Sequence, residues 1–219
     1  MFWRALFIII LFNMTKKIVL IGGGEIQSAQ TAEIDKRIIG LAGGDAKCLF
    51  FPTAAGDSDE YIKIFEKYYS ELGCSTVSSA KLSSESFEEI KNKIQNSNLI
   101  YLGGGDTCCL INKFKEQNIV NELEEFLGRG GVLSGISAGA SALTGISIVS
   151  ELDEELCFEK GFGFLSKYIV LPHYQKAYFD ILQQIKTKYP DKTVLGIADL
   201  AAVFIDDEEI ELFSIVEKI

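Results

Sequence analysis

Short apolar runs alternate with longer amphipathic stretches along most of this chain. Ile18–Ile21, Lys47–Phe51 and Leu99–Leu102 have the length and apolar character of buried strands, and Thr76–Ala80 is a further strand candidate. Between them, Thr31–Leu41, Asp59–Leu72, Phe87–Gln95 and Leu110–Leu127 predict helices. In Asp59–Leu72 the residues Tyr61, Ile62, Ile64, Phe65, Tyr68, Tyr69 and Leu72 recur with the helical period, which gives one apolar face. Val132–Ser134, Tyr168–Leu171, Val194–Ile197 and Ala201–Ile205 read as later strands, with a helix over Tyr178–Lys188. Asp206-Asp-Glu-Glu marks a turn, after which Ile210–Val216 pairs back as the last strand.

Strand alternating with helix at this spacing predicts an α/β fold: a doubly wound, mostly parallel sheet with helices on both faces, three layers in all. No repeat, low-complexity run or linker interrupts residues 14–219, which read as a single domain. In such sheets sites collect at the carboxyl ends of strands. Five polar or glycine-rich turns fall at such ends: Gly22–Glu25, Pro52–Ala55, Gly103–Thr107, Gly135–Gly139 and Pro172–His173.

Composition narrows the function classes. The chain has 219 residues and a formal net charge of −10, which argues against nucleic acid or an anionic membrane surface as the main partner. Its five cysteines, Cys48, Cys74, Cys108, Cys109 and Cys157, form an odd set without a C-x-x-C pair. They read as reduced thiols of a cytoplasmic protein, and no structural metal or cofactor is expected. Residues 1–13 are an apolar extension, too short to span a bilayer and without an A-x-A-like cleavage site, so no stable membrane association is expected.

The candidate chemistry centres on Gly135-Ile136-Ser137-Ala138-Gly139 and on His173, the chain's one histidine. A serine flanked by glycines at i−2 and i+2, after a predicted strand and before a run of small residues, has the form of a nucleophile elbow. A serine hydroxyl needs a base to take its proton, and imidazole is the usual base at neutral pH. His173 follows Pro172 at another strand end, so Ser137 and His173 are expected at the same edge of the sheet. A supporting carboxylate is sought in the acidic segment holding Glu151, Asp153, Glu154 and Glu155, among which the sequence does not choose. Gly103-Gly-Gly-Asp-Thr lacks the lysine and spacing of a phosphate loop. It reads either as a tight turn or as one side of an oxyanion hole, paired with the N–H of Ala138. Cys108 and Cys109, which follow it, read as packing thiols.

With these residues assembled, the chain resembles peptidase family S51, the serine peptidases that include aspartyl dipeptidase and cyanophycinase. Six motifs carry the resemblance, in order: Gly22-Gly-Gly-Glu25, Phe51-Pro-Thr-Ala54, Tyr101-Leu-Gly-Gly-Gly-Asp-Thr107, Gly135-Ile-Ser-Ala-Gly-Ala140, Leu171-Pro-His-Tyr174 and Leu195-Gly-Ile-Ala-Asp199. It implies a fold akin to class I glutamine amidotransferases and metal-free hydrolysis of short peptides through an acyl-enzyme. Ser137 would be the nucleophile, His173 the general base, and Gly104 and Ala138 the oxyanion donors. The third member, an acid some fifteen positions after the serine, is assigned to Asp153, with Glu151 as the alternative. The arginine expected to hold a substrate carboxylate is missing from Gln175–Lys188, which has lysines only, and lysine lacks the bidentate fork. The resemblance therefore implies a small-peptide hydrolase without strict N-terminal aspartate specificity. Two rivals are an α/β-hydrolase-type esterase, in which the histidine usually comes much later than 36 positions after the serine, and an inactive peptide-binding member of the fold. The oligomeric state is not read from the sequence.

Overall fold

The computed structural model describes residues 16–152, 155–207 and 209–219; the extension at 1–13 lies outside them, as does Asp153. In chain order the elements are β1 (Lys17–Ile21), α1 (Ala32–Ala42), β2 (Lys47–Phe51), α2 (Asp59–Glu71), β3 (Thr76–Ser79), α3 (Phe87–Gln95), β4 (Leu99–Leu102), α4 (Thr107–Glu116), α5 (Ile119–Gly128), β5 (Val132–Ile136) and α6 (Ala138–Ala142). A hairpin of β6 (Ile146–Leu152) and β7 (Glu155–Lys160) follows. Then come β8 (Tyr168–Leu171), α7 (Phe179–Lys188), β9 (Thr193–Ile197), β10 (Ala202–Asp206), β11 (Glu209–Phe213) and β12 (Val216–Lys218).

The central sheet has seven strands in the order β11-β10-β1-β5-β4-β2-β3. The neighbours from β1 to β3 run parallel, while β10 and β11 are antiparallel additions on one side. This is the mostly parallel α/β sheet that the alternating pattern predicts. Side chains of a strand alternate between faces, so both faces of a doubly covered strand must be apolar. In β1, Ile18 and Leu20 join one buried cluster, while Val19 and Ile21 join the other. The first cluster includes Ile90 and Ile94 of α3, Leu110 and Phe114 of α4, and Leu123 and Phe126 of α5. The second includes Ile34 and Ile38 of α1 and Phe65 and Tyr69 of α2, with Phe65 stacked on Phe50 of β2 at 3.9 Å between ring centroids. Full burial of a side chain such as Phe65 stabilises the fold by roughly 1.5–3 kcal/mol.

Two polar features sit inside the second cluster. Asp35 of α1 is fully buried, and its carboxylate accepts hydrogen bonds from Thr31 Oγ1 (2.7 Å), Tyr68 OH (2.9 Å) and Tyr69 OH (2.7 Å). Burial outweighs these bonds and holds its carboxyl above the ordinary value of 3.8. Tyr101 of β4 is also fully buried, and its hydroxyl has no hydrogen-bond partner among the described residues.

Three segments depart from the sequence reading. The helix expected over Leu110–Leu127 is two helices, α4 and α5, broken where Asn118 adopts a left-handed φ of 58°. Two residues of the acidic segment, Glu151 and Glu155, lie in strands that the sequence reading does not include, β6 and β7, which form a separate two-stranded sheet. The last strand divides near Ser214 (φ 67°) into β11, at the edge of the central sheet, and β12, in a small sheet of order β12-β9-β8. That small sheet packs with α7 into a third apolar cluster holding Ile169, Leu182 and Val194. Among the described residues no helix is long and apolar enough to cross a membrane.

Candidate active site

Ser137 occupies the junction between β5 and α6 with φ 53° and ψ −112°. The unusual backbone belongs to the serine itself, a conformation that costs on the order of 1–3 kcal/mol and clusters at functional sites. The two flanking glycines serve close approach instead. A Cβ on Gly135 would lie 2.4 Å from the carbonyl carbon of Gly139, and a Cβ on Gly139 would lie 2.3 Å from the carbonyl oxygen of Leu102. Glycine at both positions lets α6 begin directly against β5 and β4, which leaves the serine hydroxyl at the strand end.

Ser137 Oγ lies 2.8 Å from His173 Nε2. The other ring nitrogen, Nδ1, lies 2.6 Å from Asp199 Oδ1. An ionised Asp199 can only accept, so the proton between them sits on Nδ1. Nε2 is then the lone-pair nitrogen that accepts from the Ser137 hydroxyl. Serine, imidazole and carboxylate thus form one continuous chain of hydrogen bonds. The side chains of His173 and Asp199 are 53% and 60% exposed, so water reaches the relay in this state.

Three consecutive carbonyls at the end of β1 hold this arrangement in register. The backbone N–H of Ser137 donates to Ile21 O (3.0 Å), that of His173 to Gly22 O (3.2 Å) and that of Leu200 to Gly23 O (2.9 Å). His173 itself has a left-handed φ of 54°, as has Leu200 at 60°. Gly23 lies directly beneath the relay. A Cβ there would come within 2.1 Å of Asp199 Oδ1 and 2.5 Å of His173 Nδ1.

The sequence reading gives the position on Nδ1 to Asp153, which lies outside the described residues, with Glu151, in β6, as the alternative. The contact is made by Asp199 instead, because the turn after β9 is bridged to Gly23 beside the imidazole. Asp199 carried a usable signal: it is an acid two residues past a predicted strand, inside one of the six motifs. Glu151 and Glu155 belong to the separate β6–β7 hairpin.

Gly104 lies over the serine, where a Cβ would stand 3.3 Å from Ser137 Cβ. Ala138, 2% exposed, is the first residue of α6 and directly follows the serine. Asp106, in the same glycine-rich loop, is a helix cap: its carboxylate accepts from the N–H of Cys109 at 2.9 Å and starts α4. Cys108 and Cys109 do not line the cleft, and all five cysteines are unpaired.

Around the relay is a cleft of about 540 Å³. Its walls come from the Gly23–Gln27 turn, from Ser58 to Ile64 at the start of α2, and from Gly104 and Gly105, with Ser137 and His173 at its base. Ser58 caps α2 by accepting from the N–H of Tyr61 (3.3 Å), and this places Glu60, Tyr61 and Ile64 on the cleft wall. Burial raises the Tyr61 phenol to about 12, so Tyr61 stays protonated at neutral pH. None of the lysines of Gln175–Lys188 lines the cleft. Among the described residues no three His, Cys, Asp or Glu side chains converge in a metal-binding arrangement.

Comparison with known proteins places this geometry in a family. The chain is 32% identical over 127 residues to the uncharacterized peptidase YgaJ of Bacillus subtilis (strain 168), a match covering 57% of this chain and 55% of that protein. It is 30% identical over 142 residues to peptidase E of Haemophilus influenzae, covering 64% and 61%. The matches span less than two thirds of either relative. The fold is shared with a candidate peptidase E protein from Listeria monocytogenes EGD-e (TM-score 0.69, 22% identity, covering 94% of this chain and 99% of that one). It is also shared with a peptidase from an acI-B1 Actinobacterium (TM-score 0.68, 23% identity, 94% of each chain). The model of peptidase family S51 matches residues 18–213, nearly the whole described fold, and the chain belongs to that family.

Proposed function

We propose that this protein is a serine peptidase that hydrolyses short peptides, dipeptide-like in size, through an acyl-enzyme on Ser137. The observation that carries the reading is the continuous relay, with Ser137 Oγ 2.8 Å from His173 Nε2 and His173 Nδ1 2.6 Å from Asp199 Oδ1. His173 takes the hydroxyl proton as Ser137 attacks the scissile carbonyl, then gives it to the leaving amine. Asp199 holds the ring in the reactive tautomer and stabilises the imidazolium that forms. Backbone N–H groups of Gly104 and Ala138 receive the charge that develops on the carbonyl oxygen, each worth about 2.7–4 kcal/mol of transition-state stabilisation. Water then enters on the same imidazole and releases the acyl group.

The size of the cleft supports a small substrate, since about 540 Å³ lies within the usual range for small-molecule sites. The chain order supports a peptidase of this family over an α/β-hydrolase esterase. Here the order is serine, histidine, aspartate, whereas α/β-hydrolases place the acid before the histidine. A fluorophosphonate probe is expected to label Ser137, with labelling abolished in Ser137→Ala and strongly slowed in His173→Ala. A dipeptide library should be cleaved by the wild type and not by Ser137→Ala. Labelling that persists in Ser137→Ala would overturn the assignment.

A further inference from the structure

The charge of the cleft bears on which peptides it takes. Two carboxylates line it, Glu25 in the turn after β1 and Glu60 on the first turn of α2, and both residues are exposed. Among the described residues no lysine or arginine lines it, and neither glutamate takes part in an ion pair. They approach the reaction centre from two walls. Glu25 lies two residues beyond Gly23, which underlies the His173–Asp199 contact, and Glu60 precedes Tyr61, which also lines the cleft. The Glu25 charge reaches far enough across to bear on the Tyr61 hydroxyl. An anionic substrate side chain would meet two like charges there, whereas a cation would meet two acceptors on the walls of a concave cleft.

We infer that Glu25 and Glu60 are the specificity-determining residues of this site and that they select peptides presenting a cationic group, an amino terminus or a lysine or arginine side chain, beside the scissile bond. The inference rests on the serine-peptidase reading above and sharpens it to a substrate class. In the choice of side chain, it is opposite in sign to a preference for aspartyl substrates.

The test uses phosphonate probes that react with an active serine, with rates read by intact mass and normalised to a neutral fluorophosphonate. One probe pair carries an ammonium-ended or a carboxylate-ended side chain of equal length. A second pair carries a free or an acetylated α-amine on a neutral side chain. Wild type is expected to react at least about tenfold faster with a cationic member than with its uncharged or anionic counterpart. The pair showing the difference identifies the ammonium as side chain or amino terminus. In the double variant Glu25→Gln/Glu60→Gln the ratio should fall to within about twofold, with each single variant between. Equal rates in wild type, faster reaction of the anionic probe, or an unchanged ratio in the double variant overturns the inference while leaving the hydrolase reading intact. Failure of the neutral probe to label Ser137 overturns both.

Discussion

His173 Nδ1 and Asp199 Oδ1 stand 2.6 Å apart, and this contact fixes which proton the imidazole keeps and which nitrogen faces the serine. Asn at position 199 would offer an amide that can reverse the tautomer at unchanged volume. Asp199→Asn is therefore expected to lower kcat by roughly 10³–10⁴-fold with little change in KM. Asp153→Asn, by contrast, should stay within a few-fold of wild type. Steady-state kinetics on one dipeptide decides between them, and a large loss in the second variant would return the role to Asp153.

Gly23 offers a second check on the same contact. A methyl group at this position would meet Asp199 Oδ1 at 2.1 Å and the imidazole at 2.5 Å, so both side chains must move. Gly23→Ala is expected to lose at least about 10²-fold in kcat, since displacements near 1 Å carry penalties of this order. Circular dichroism should report retained secondary structure. Wild-type kcat in this variant would show that the relay tolerates displacement.

Tyr101 tests the core. Its hydroxyl is buried without a partner, while its ring packs 5.1 Å from Phe65 and 5.5 Å from Tyr69 between centroids. Tyr101→Phe keeps the ring and removes the stranded hydroxyl. It is expected to raise unfolding free energy by roughly 1 kcal/mol in urea titration. A loss of stability would mean that the hydroxyl is satisfied in solution.

Asp35 gives a pH dependence with a definite sign. Burial holds its folded-state carboxyl above the ordinary 3.8, so the folded protein binds this proton more tightly than the unfolded chain does. The resulting contribution to stability is complete below the ordinary carboxylate value and is lost as pH rises from there through the raised value. The unfolding free energy of wild type minus that of Asp35→Asn should therefore decline as pH is raised from about 4. A difference that is flat or rising with pH would refute the assignment.

The sequence carried the parallel centre of the fold because its strands are short apolar runs separated by amphipathic helices, and burial on both faces forces that pattern. It carried Ser137 and His173 for a related reason: both are polar residues placed directly after such runs. The β6–β7 hairpin was not legible, since its acidic residues and short alternation resemble a solvated loop. The break between α4 and α5 rests on one left-handed residue, Asn118, inside a continuous helical pattern. Asp199 was missed because the third member was sought by distance along the chain from the serine, whereas it is set by spatial pairing to Gly23.

The three carbonyls of Ile21, Gly22 and Gly23 contribute no reactive atom, yet each anchors a different arm of the relay. Ser137, His173 and Asp199 come from segments 36 and 26 positions apart, and they share this one short ruler. Turnover is therefore a gauge of the middle of the sheet. Loosening the exit of β1 by a fraction of an ångström should silence the protein while its helices and most of its core remain in place, so inactivation is expected to precede melting on heating or in denaturant.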